Sequence, residues 1–122
     1  MTCEHVFVTA QGSPLTKLRR ALAGGDLAAA RVAAGDLPHV GLDEAAALLA
    51  LIASSDPERL EPASVRFLGR VCVERAPALE DARMLAACLA QLQDESPAFR
   101  QVFAVTLQRV GVRLEPRPRN RL

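Results

Sequence analysis

The chain has 122 residues, half of them hydrophobic, with a formal net charge of +1 from 15 basic and 14 acidic side chains. This length suits one domain with a single core, and the near-neutral charge excludes a chain that binds polyanions over its whole surface. It contains 22 alanines and 18 leucines but no tryptophan or tyrosine. Because alanine and leucine favour helices, whereas strand interiors favour β-branched and aromatic residues, this composition predicts an all-α fold.

The first twelve residues depart from the helical pattern. The β-branched stretch "HVFVT" at 5–9 predicts an extended arm over 1–12, with Phe7 anchored in a groove between helices. Because a lone strand has no partner inside an all-α domain, pairing with another copy is the alternative. The start of the chain lacks the basic region and long apolar run that are typical of a signal peptide.

Capping residues mark the predicted helices. Ser13 and Pro14 predict the start of the first helix and Gly24 its end, while Asp26 and Gly35 bound the second. Gly24-Gly25-Asp26 between them predicts a tight helix–helix corner. The same signals further along predict a short helical turn at Asp56-Pro57 and the start of the last helix at Ser96-Pro97. In all, six helices are predicted, over 14–23, 26–34, 42–54, 62–75, 79–92 and 97–110.

The apolar faces predict how these helices pack. After Glu44 the 42–54 helix is apolar all round, which predicts a buried central post with the other five helices around it. In the helix over 62–75 the apolar stripe is Phe67, Leu68, Val71 and Cys72, and in the last helix it is Phe99, Val102, Phe103, Thr106, Leu107 and Val110. The longest apolar run, at 45–53, is far shorter than the roughly 20 residues that cross a bilayer.

The predicted architecture is a compact bundle of about six short helices in a single domain over 13–111. A solenoid-like stack of three helix hairpins is the alternative. The starts of the hairpins are unevenly spaced and share no residue signature, whereas regular repeats keep a period.

The sequence offers little for catalysis. His39 lies in a corner loop near Asp36 and Asp43, but Cys72 and Cys88 are predicted to be buried, where a thiol is a poor nucleophile. Cys3-Glu4-His5 does not match a zinc-site spacing, even with His39 added. We therefore expect no enzyme activity, no metal or other cofactor and no small-molecule substrate. The three widely spaced cysteines suggest no disulfide framework, which favours a reducing cytoplasm.

Nucleic-acid binding has two candidate sources. The segment 15–35 has the length of a helix-turn-helix, but its second helix offers only Arg31 to read bases. The predicted basic, proline-interrupted tail over 112–122 is the better candidate, because arginines in an extended segment neutralise phosphates. With arginines of the body, the candidate polyanion contacts are Arg66, Arg70, Arg113, Arg117, Arg119 and Arg121. The same tail would also serve simply to keep the protein soluble.

Alanines crowd the second helix. Small side chains let another helix approach closely, so Ala28, Ala29 and Ala33, together with Phe7, form the candidate interface. The alternative is that these alanines make no contact with a partner and are present because alanine suits the exposed face of a helix. The predicted function is a non-catalytic protein-interaction or assembly module, whose partner is another protein or a second copy of itself. The alternative is an accessory nucleic-acid-associated protein.

The stretch "LAGGDLAAARVAAGDLPHVGLDEAAALLALIA" at 22–53 resembles small Ala/Arg/Leu-rich helical proteins of unknown function from high-GC bacteria. This resemblance lies in composition rather than in a functional motif. It implies a bacterial, cytoplasmic protein and carries over no catalytic residues.

Overall fold

A computed structural model describes residues 13–114, and every regular element in that range is helical, which confirms the predicted all-α class. The predicted arm over 1–12 and the tail from residue 115 onward lie outside the described residues. The helices are α1 (Pro14–Gly24), α2 (Leu27–Gly35), α3 (Leu42–Ser55), α4 (Leu60–Arg75), α5 (Leu79–Leu89) and α6 (Pro97–Arg109), with a 3₁₀ turn at Pro57–Arg59 before α4.

Predicted helix caps account for three of the helix starts. In each, a side-chain oxygen accepts a hydrogen bond from the backbone N–H three residues on, and these cap residues are Ser13, Asp26 and Ser96. The chain leaves α1 through Gly25, whose φ of 73° lies in the left-handed region. These local interactions confirm the Gly24-Gly25-Asp26 corner.

Two helix ends differ from the prediction by two or three residues. Helix α4 begins at Leu60 rather than at 62. Pro62 falls within its first turn, where the missing N–H breaks no intrahelical hydrogen bond. Helix α5 ends at Leu89 rather than at 92, and the chain continues through hydrogen-bonded turns that keep Leu92 buried.

The described residues divide into two compact units, one comprising 13–40 and the other comprising 41–114. In the first, α1 and α2 pack against each other through a small core formed by Leu18, Ala21, Ala30 and Ala33. The single helical domain predicted over 13–111 stays a prediction.

Helices α3 to α6 of the second unit pack in chain order, α3 on α4, α4 on α5 and α5 on α6. No residue of α3 from 45 to 53 is exposed, but Ala45, Ala47, Leu48 and Ala50 are only half-buried, so α3 is not buried on every side as predicted. Within this unit α4 and α5, rather than α3, each pack between two other helices. The largest fully buried side chains here are Val71, Leu85 and Leu107.

The segment after α6 returns to the start of this unit. The backbone N–H of Arg113 donates to Asp43 Oδ1 at 2.8 Å, and Arg75 Nε donates to the Gly111 carbonyl at 3.2 Å. Val112 is buried between these two contacts along the chain. Residues 41–114 therefore close on themselves, which is the compact arrangement rather than an open stack of hairpins.

The predicted apolar stripe of α6 is confirmed for the buried Phe103, Thr106, Leu107 and Val110. The stripe of α4 needs one correction, because Cys72 is exposed. The inward side of α4 is formed by Leu60, Ser64, Phe67 and Val71, and the residue after Val71 lies about 100° further round the helix.

Candidate interaction surfaces

The alanine-rich helix α2 has an exposed and a buried side. Ala28 and Ala29 are exposed, together with Val32, which keeps 68% of its surface accessible. Ala33 is only 4% exposed, since it belongs to the core between α1 and α2. Ala33 is therefore not accessible on the surface of α2, and Phe7 lies outside the described residues, so the predicted interface stays a prediction. What remains on α2 is a small surface of Ala28, Ala29 and Val32.

A groove of about 460 Å³ runs between α4 and α5. Its volume falls within the 300–1,000 Å³ that is usual for ligand pockets. The N-terminal half of α4 forms one wall, the C-terminal end of α5 with the turn after it forms the other, and the 3₁₀ turn contributes Pro57. The remaining lining residues are Leu60, Glu61, Ser64, Val65, Leu68, Ala86, Leu89, Ala90 and Gln93.

The depth of the groove is apolar and its edges carry the polar groups. Leu60 and Leu89 are buried, whereas Val65 on the α4 side is 64% exposed. Among the described residues that line the groove, Glu61 is the only charged one, and Gln93 is exposed on the opposite wall. The described lining is therefore mostly apolar in residue type, and its one formal charge is negative.

Ser64 is the exception within this apolar lining. The residue is 8% exposed, and its Oγ has less than 1 Å² of accessible surface and no hydrogen-bond partner among the described residues. A buried hydroxyl without a partner costs about 1–3 kcal/mol. Because this oxygen has almost no accessible surface, it is not presented to the groove.

The neighbouring junction between α5 and α6 also buries a hydroxyl, but with partners. Thr106 Oγ1 donates to the Val102 carbonyl at 2.7 Å, and the Cys88 thiol donates to Thr106 Oγ1 at 3.7 Å. At one end of this junction Arg109 Nε donates to Asp81 Oδ1 at 2.8 Å. The hydrogen bond and the charge of Asp81 raise the pKa of the Arg109 guanidinium above its usual range.

The candidate catalytic groups differ in their exposure. His39 and Cys72 are both exposed, while Cys88 is buried against Thr106 as predicted. Across residues 13–114 there is no group of three or more His, Cys, Asp or Glu side chains that could hold a metal ion. The Cys3-Glu4-His5 cluster lies outside that range. No helix in the same range is long and apolar enough to cross a membrane.

Only three of the candidate polyanion contacts lie among the described residues. Arg66 and Arg113 are exposed, whereas Arg70 Nε contacts Glu74 Oε2 at 2.8 Å within α4. That carboxylate offsets the charge of Arg70 locally. Arg117, Arg119 and Arg121 lie outside the described residues, so their contribution to a basic face stays a prediction.

Comparison with protein-family models, with curated proteins and with solved structures finds no match to this chain. The resemblance to alanine-rich bacterial proteins therefore stays a prediction, as do the bacterial origin and the cytoplasmic location.

Sequence reasoning missed the groove and Ser64. A signal for Ser64 was present, because it occupies an inward position of α4 at helical spacing from Leu60, Phe67 and Val71. A serine in an otherwise apolar stripe either bonds to its own helix or awaits a partner. No comparable signal for the groove existed, because it depends on how α4 and α5 pack.

Proposed function

We propose that this protein is a non-catalytic protein-interaction module and that the groove between α4 and α5 is its docking site. The single observation that carries the proposal is the groove itself, in which seven of the ten lining residues are apolar and Val65 at the edge is 64% exposed. A concave site lined mainly by apolar side chains with a few polar groups is typical of a binding site.

Exposed apolar side chains support an interaction role. Within the second unit, Val65, Val73 and Leu79 each keep more than 60% of their surface accessible, and Val65 adjoins the groove. Isolated exposed hydrophobics are common, but those rimming an apolar groove extend the area that a partner would bury. The surface of Ala28, Ala29 and Val32 on α2 is a second, smaller candidate for contact with a second copy.

The test blocks the groove and leaves the rest of α5 unchanged. Ala86 lines the groove, whereas its exposed neighbour Ala87 does not, so Ala86→Trp and Ala87→Trp form a matched pair. Binders to the native chain would be selected from displayed peptide libraries, and their affinities measured by fluorescence anisotropy. We expect Ala86→Trp to weaken the selected binders at least about tenfold and Ala87→Trp to leave them within about twofold.

The proposal fails if no selected binder distinguishes the two tryptophan variants. Light scattering on the same variants tests self-association. A dimer lost in Ala86→Trp and kept in Ala87→Trp makes the groove a contact between two copies, and a random duplex bound at low salt and lost in Arg66→Ala instead favours the nucleic-acid alternative.

A further inference from the structure

We draw no further inference here: the strongest candidate, the exposed apolar corner between α4 and α5 formed by Val73, Ala76 and Leu79, carries none because nothing in the described part of the chain shows what covers it.

Discussion

The two helix junctions on either side of α5 each bury one hydroxyl, yet they differ in how that hydroxyl is satisfied. At the α5–α6 junction Thr106 bonds to the Val102 carbonyl and contacts Cys88. At the α4–α5 junction Ser64 has no partner among the described residues, and the junction opens into a groove. The comparison teaches that two similar helix junctions differ in whether the buried hydroxyl has a hydrogen-bond partner among the described residues.

The largest expected effect is the loss of unfolding free energy when a leucine is truncated, which should differ between the α5–α6 junction and the α4–α5 groove. Leu107 is fully buried on α6, whereas Leu68 lines the groove and is only partly buried. We expect Leu107→Ala to lower the free energy of unfolding by about 3 kcal/mol, because it leaves a cavity that the packed side chains of the α5–α6 junction cannot fill. Leu68→Ala should cost less than about 1 kcal/mol. Urea denaturation measures both, and equal losses would contradict the description of the groove as open.

The two hydroxyls themselves provide the next test. We expect Ser64→Ala to raise the free energy of unfolding by about 1 kcal/mol, because it removes an unsatisfied buried group. Thr106→Val keeps the side-chain shape but deletes two hydrogen-bonding contacts, so it should lower the same free energy by about 0.5–1 kcal/mol. The two substitutions should therefore change the free energy of unfolding in opposite directions. A Thr106→Val variant more stable than the native chain would contradict the described difference between the two junctions.

A smaller effect is expected at the corner that joins α4 to α5. Ala76 ends α4 with φ of 45°, in the left-handed region, where an alanine is strained. Ala76→Gly should raise the free energy of unfolding by about 0.5 kcal/mol, the relief of strain being partly offset by unfolded-state entropy. Gly111, with φ of 79° after α6, is the matched control, because Gly111→Ala should be destabilising. Thermal unfolding by circular dichroism compares the two.

The smallest expected effect concerns the ion pair between Arg109 and Asp81 at the α5–α6 junction. Arg109 is 66% exposed, so its contact with Asp81 is screened by solvent, and Asp81→Asn should lower the melting temperature less than any change above. Asp81 raises the pKa of Arg109, so the stabilisation of the folded state by this ion pair is fully present below the pKa that Arg109 has in the unfolded chain. It is lost only in strong alkali, as the pH rises through the folded-state pKa. The effect of Asp81→Asn should therefore be constant from about pH 6 to 9, and added salt should reduce it.

The sequence by itself determined the helices of this protein. Cap residues such as Ser13, Asp26 and Ser96 form hydrogen bonds with N–H groups only three residues away, so they are readable without any knowledge of the fold. The low exposure of α3 was readable in part, because a helix that is apolar on all sides has no polar face to turn to water, although four of its residues from 45 to 53 stay half-buried.

Only the tertiary structure decided which residues of the apolar stripes are buried and which buried hydroxyls have a hydrogen-bond partner. Cys72 looked like part of an inward stripe, but the direction in which α4 packs turns it outward. Ala33 looked like Ala28 and Ala29, but the packing of α1 on α2 buries it. Ser64 and Thr106 are both hydroxyls in apolar stripes, but Thr106 bonds to the Val102 carbonyl of its own helix and contacts Cys88, whereas Ser64 has no partner among the described residues. Local signals carry the period of a helix, whereas the groove depends on how two consecutive helices pack against each other.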